Sequence, residues 1–85
     1  MIKKVKFTRH SLQQMIERGA TEKEVEGAIY QGERVPAKKG RSAFRYNFQY
    51  NARWAGRYFL VKQVMPVVVQ EHDTYVVVTV YTFYF

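Results

Sequence analysis
The 85 residues carry 14 Lys and Arg against 7 Asp and Glu, a net charge of +7, with 47% apolar or aromatic residues and no cysteine. A chain well below ~150 residues has room for one core, so residues 1–85 are expected to form a single domain. Without cysteine there is no disulfide framework, thiolate zinc site or cysteine nucleophile, and two histidines with few acids give no basis for a metal site or cofactor.

No run reaches the ~18 apolar residues of a membrane span. Met1 to Phe7 include Lys3, Lys4 and Lys6 but lack the apolar stretch of a signal peptide. A soluble, cytoplasmic protein without membrane contact is the expectation. The charge is uneven: five acids fall between Glu17 and Glu33, whereas residues 34–70 hold Arg34, Lys38, Lys39, Arg41, Arg45, Arg53, Arg57 and Lys62 with no acid, +8 in all. Such a block attracts polyanions, and nucleic acid is the commonest inside cells. A solubilising charge excess and a surface for an acidic partner protein fit the same block.

Ile2 to Phe7 alternates as a short edge strand or extended arm would, with its lysines toward solvent. Thr8 can cap a helix in which Leu12, Met15 and Ile16 form the apolar stripe and Gly19 the terminator, so the first helix is predicted over about 8–19. Thr21 and Glu24 have capping-box spacing, Val25, Ala28 and Ile29 supply a second apolar stripe, and Gly32 closes a helix over about 21–32. A loop holding Pro36, Lys38, Lys39, Gly40 and Arg41 follows.

The sheet is predicted over about 42–85. Ala43 to Tyr50 alternates strictly, Phe44, Tyr46, Phe48 and Tyr50 on one side and Ala43, Arg45, Asn47 and Gln49 on the other. Asn51 to Gly56 reads as a turn and Arg57 to Met65 as the next strand; Pro66, unable to donate to a ladder, marks an edge or a bulge. Glu71 to Thr74 turns again, with His72 a solvated residue there, and Tyr75 to Phe85 is the last strand. The fold class is α+β, an N-terminal helical hairpin packed on a three- or four-stranded antiparallel sheet.

On a helical wheel His10, Gln14 and Arg18 share a stripe away from Leu12, Met15 and Ile16. Histidine exchanges protons near neutral pH, and an arginine two turns along can hold a phosphate beside it. The competing reading has His10 bonded to loop backbone and Arg18 paired with a carboxylate such as Glu22.

The pattern Thr8, x, His10, Ser11, x, x, Gln14, Met15, x, x, Arg18, Gly19, with a final strand Val76 to Tyr81, resembles the family called domain of unknown function 4258. That family has Thr, x, His, Ala, x, x, Arg, Met, x, x, Arg at the first helix and Val, x, Thr, x, Tyr near the end. Ser11 stands where the family tends to have alanine, and Gln14 where it has arginine, so one cation of the stripe is missing. The layout is similar to the RelE and barnase-like fold of metal-independent ribonucleases, many of them toxins.

The resemblance therefore implies a metal-independent endoribonuclease of toxin type acting on RNA, with an acidic antitoxin-like protein as partner. Such cleavage needs a base for the 2′-hydroxyl, an acid for the leaving oxygen and cations for the phosphate. His10 fits the proton carrier, Arg18 and Arg45 the cations, and Thr79 and Tyr81 positioning groups on the strand face that also carries Arg45. Lys38, Lys39, Arg41, Arg53 and Arg57 would bind the nucleic-acid backbone, with Trp54 or Tyr81 stacking on unpaired bases. A non-catalytic nucleic-acid-binding module, or a basic protein-interaction subunit, uses the same residues. The apolar end Val80 to Phe85 suits a homodimer through the C-terminal strand or a strand fully paired within one chain.

Overall fold
The computed structural model describes residues 4–85, in the order β1 (Lys4–Phe7), α1 (Arg9–Arg18), α2 (Glu22–Gln31), β2 (Glu33–Pro36), β3 (Ser42–Trp54), β4 (Arg57–Glu71) and β5 (Thr74–Tyr84). Met1 to Lys3, where the expected first strand or arm begins, lie outside the described residues. Both helices start as their caps require. The Thr8 hydroxyl accepts from the Ser11 amide, and Thr21 and Glu24 close a reciprocal capping box at α2. Gly19 ends α1 in the left-handed region, at φ 80°. Gly32 ends α2 for another reason: its φ of −81° suits any residue, but a Cβ there would collide with the backbone oxygens of Ala28 and Arg45.

The sheet has five strands in the order β1-β5-β4-β3-β2, with β1 parallel to β5 and every other pair antiparallel. The fold is α+β with N-terminal helices, but the sheet is mixed and larger than three or four antiparallel strands. The chain from β1 to β5 crosses over through both helices, which permits the parallel pair. Glu33 to Pro36, expected as loop, becomes the edge strand β2 by pairing with β3, and Pro36 sits at its last position, where a missing N–H costs little.

The helices cover one sheet face. Val25, Ala28 and Ile29 of α2, Met15 of α1, and Phe44, Val64, Val68, Tyr75, Val77 and Val80 of the sheet form the buried core. In α1 the buried residues are Ser11, Gln14 and Met15, while Leu12 is exposed and Ile16 is 80% exposed. The expected apolar stripe is thus rotated. α1 lies along the edge of β5, so its inner face meets backbone polar groups through Gln14 and Arg18 as well as the apolar core through Met15.

β4 runs unbroken through Pro66 in the middle of the sheet, so the proline is not at an edge. Pairing with β3 skips from Ala43↔Val67 to Tyr46↔Val64, across the stretch where proline offers no N–H. On the β5 side a bulge lies next to it, where Val67 pairs with Thr79 but Val68 with Val77. β3 also extends beyond the expected turn, through an irregularity between Gln49 and Ala52, to a two-residue turn at Ala55 and Gly56 with φ 52° and 81°. Positive φ at both turn residues matches the twist of a tight hairpin. No helix among the described residues is long and apolar enough to cross a membrane.

Candidate functional site
β5 pairs with β1 only over Thr74 to Val77, and beyond that α1 takes the place of a strand. The Thr8 amide donates to the Val77 carbonyl at 3.1 Å, and the Val80 amide donates to Gln14 Oε1 at 3.0 Å. Arg18 Nη1 donates to the Val80 carbonyl at 2.6 Å, and the Arg18 carbonyl accepts from the Thr82 and Tyr84 hydroxyls at 2.9 and 2.6 Å. A strand edge needs such partners because an unpaired buried backbone group costs as much as a lost hydrogen bond. Gln14, only 9% exposed, is therefore an edge cap and not an exposed member of a cationic stripe. The β5 edge is thus occupied by β1 over Thr74 to Val77 and by α1 at Val77 and Val80.

Arg18 also lies over the Tyr81 ring, its guanidinium carbon 5.3 Å from the centroid. At ~100° per residue, α1 turns Met15 to the core and Arg18 and Gln14 to the β5 edge, with His10 next in the same sense around the helix. His10 is exposed, near the start of the helix, where the chain leaves its bond to Val77.

The sheet face opposite the helices carries a cavity of about 350 Å³. Its floor follows the cross-strand row Val35, Ala43, Val67, Thr79, joined by Met65 and its partner Tyr81. The β2–β3 loop raises a wall containing Lys38 and Arg41. Lys38, Arg41, Thr79 and Tyr81 thus line one cavity with the apolar Val35, Ala43, Met65 and Val67. Four of the sequence candidates, Lys38, Arg41, Thr79 and Tyr81, meet here, and Arg18 joins them through Tyr81.

Arg45 stands near this group but is engaged. Its guanidinium holds Glu33 at 2.8 Å, and both side chains are well exposed, so the pair is worth only ~0.2–1 kcal/mol and is readily exchanged. Continuing the β3–β4 register puts Arg45 opposite Met65, two strands and about 10 Å from Tyr81. Lys39 is exposed in the loop, at φ 58°.

Of the remaining cations of the +8 block, Arg34 lies over Phe44 and donates to Ser42 Oγ, and the other three lie away from the cavity. Lys62 is 5% exposed, paired with Glu24 at 2.8 Å and donating to the Gly19 carbonyl at 2.7 Å. Arg53 donates to the Gly56 carbonyl and Arg57 lies over Phe59, both at the β3–β4 turn. From Arg41 to Arg53 the strand covers about 40 Å at ~3.3 Å per residue, the full 40 Å length of the molecule. One block in sequence is therefore two separate clusters in space.

Trp54, expected as a stacking residue, is stacked within the protein. Its ring lies 5.1 Å from that of Tyr84 at 13°, beside Tyr50 and Phe59. This cluster seals the end of α1: a Cβ on Gly19 would approach the Trp54 ring and the Tyr84 hydroxyl to 2.6 Å. The Tyr84 phenol is pushed up to about 12, by burial first and then by neighbouring Tyr50, with its bond to Thr82 opposing and Glu24 adding. Among the described residues no three His, Cys, Asp or Glu side chains gather as metal ligands, and every buried side-chain polar atom is hydrogen-bonded.

Sequence reading missed the exposed ring of Phe83 beside Tyr81. The signal was present, since Thr79, Tyr81, Phe83 and Phe85 alternate on one strand face. It missed the edge-capping work of Gln14, for which no sequence signal exists. No curated relative and no solved structure matches the chain. The sequence does match the domain of unknown function (DUF4258) over residues 7–82, nearly its whole length, and the chain belongs to that family.

Proposed function
We propose that this protein binds RNA on the sheet face opposite its helices, with phosphate held at Lys38 and Arg41. The observation that carries the reading is the cavity in which these two cations adjoin Thr79 and Tyr81. Backbone contacts of this kind release counterions, so affinity should fall steeply with salt. Titrating the protein with a single-stranded RNA oligonucleotide across salt concentrations tests it. The slope should drop by about 1.4 in Lys38→Ala/Arg41→Ala, at ~0.7 per phosphate contact. Absence of binding at low salt would leave a basic surface for an acidic protein partner instead.

A second reading is metal-independent cleavage of the bound strand, the endoribonuclease activity of a toxin. What favours it is that His10 is exposed at the start of α1, the helix whose Arg18 lies over Tyr81. His10 would carry the proton, and Arg18, with Arg45 once released from Glu33, would stabilise the charged phosphate. Incubation with RNA and a chelator should then give fragments, and His10→Ala should lose ~10²-fold or more in rate. Intact RNA, or cleavage indifferent to that substitution, removes the catalytic reading and leaves binding alone.

A further inference from the structure
We propose that Tyr81 and Phe83 form a base-stacking platform, and that the RNA this face accepts is single-stranded with at least one base splayed onto these rings. The proposal rests on the RNA reading above. The two residues are i, i+2 on β5, so both side chains stand on the face opposite the core. Their rings are 6.4 Å apart at 19°, near parallel and at the wide end of aromatic pairs, and they are 40% and 43% exposed.

Most other aromatic rings of the sheet pack on one another, and the exposed Tyr58 stands alone at the β3–β4 turn, at the far end from the cavity. Phe44 packs on Tyr75, Tyr46 on Phe48, and Tyr50, Trp54 and Phe59 on Tyr84. Tyr81 and Phe83 are the pair held side by side, exposed, and next to cations. Arg18 covers part of Tyr81, and the cavity bearing Lys38 and Arg41 opens against the same residue. A nucleotide offers the matching chemistry, a flat aromatic face and an anion a few ångströms away. A duplex hides its base faces within the stack, whereas a single strand can turn them outward.

Three ligands of matched charge separate the possibilities: a single-stranded oligonucleotide with 2′-O-methyl sugars, which resists cleavage at the 2′-oxygen, a duplex of half its length, and inorganic polyphosphate. The full chain should bind the single strand more tightly than the other two. Phe83→Ala, which lies outside the cavity lining, should weaken single-strand binding roughly 5- to 100-fold while leaving the salt slope and polyphosphate binding unchanged, and Tyr81→Ala/Phe83→Ala should weaken single-strand binding further. More than half of each ring is covered, so the alanine variants are expected to lower the denaturation midpoint, and Tyr81→Leu/Phe83→Leu, which keeps apolar bulk without a ring, should show the same loss of binding with less loss of stability. Equal affinity for single strand and duplex, unaffected by these variants, overturns the platform while RNA binding stands. Failure to bind any of the three overturns both readings, and a concentration-dependent dimer abolished by the same variants would assign the rings to self-association.

Discussion
Gln14→Leu isolates the role of α1 as a substitute strand. The replacement keeps most of the side-chain bulk but removes the acceptor that lies 3.0 Å from the Val80 amide. That amide belongs to a residue with no measurable exposure, so water cannot easily replace the lost partner. A buried donor left unpaired costs about 1–3 kcal/mol. For a domain of this size that lowers Tm by roughly 5–20 °C, at about 4–8 °C per kcal/mol. Urea denaturation followed by circular dichroism measures the loss, and amide exchange should quicken at Val80 more than within the β4–β5 ladder. Gln14→Arg should destabilise at least as much, because it puts a second cation beside Arg18 in a site only 9% exposed. An unchanged midpoint and unchanged exchange in Gln14→Leu would refute the edge cap. A stable Gln14→Arg with new or stronger RNA cleavage would reopen the view that this position faces a phosphate.

Gly19→Ala should cost about 2–4 kcal/mol, from the φ of 80° and from a Cβ pressed to 2.6 Å against Trp54 and Tyr84; a denaturation loss below about 1 kcal/mol would mean the cluster yields freely. Alkaline titration should expose Tyr84. Its pKa in the folded chain, about 12, exceeds the ordinary value of 10.0, so the folded state holds the proton more tightly. The stability this adds is complete below pH 10 and is lost as pH rises from about 10 through about 12. The excess pH sensitivity of the wild type over Tyr84→Phe in that window measures it, and identical profiles would contradict it.

The candidate site combines one group read easily from sequence with one that could not be. Thr79 and Tyr81 were legible as a pair on one strand face, because alternation fixes which side chains share a side. That Lys38 and Arg41 reach the same place depends on β2 pairing with β3 and folding the loop over the sheet. Four residues at an edge carry too little periodicity to announce this. The cationic block misled for a related reason: charge sums along the sequence ignore that a 13-residue strand carries its ends to opposite poles of the molecule.

Local chemistry by itself determined the helix caps at Thr8 and Thr21, the terminator Gly19, the buried stripe Val25, Ala28, Ile29, the alternation of β3 and the long strands that follow. These signals act within a few residues, through hydrogen bonds and periodicity that any tertiary context would retain. Only the tertiary structure decided which face of α1 is buried, that Pro66 lies mid-sheet, that Trp54 is spent on Tyr84, and that Lys62 is sealed beneath Gly19. The middle two follow from β4 lying between β3 and β5, whereas the face of α1 follows from the short parallel β1–β5 pair, which leaves half an edge of β5 to be closed by a helix. An edge made of backbone asks for Gln14 and Arg18, and so it turns Leu12 and Ile16 outward against their own hydrophobicity.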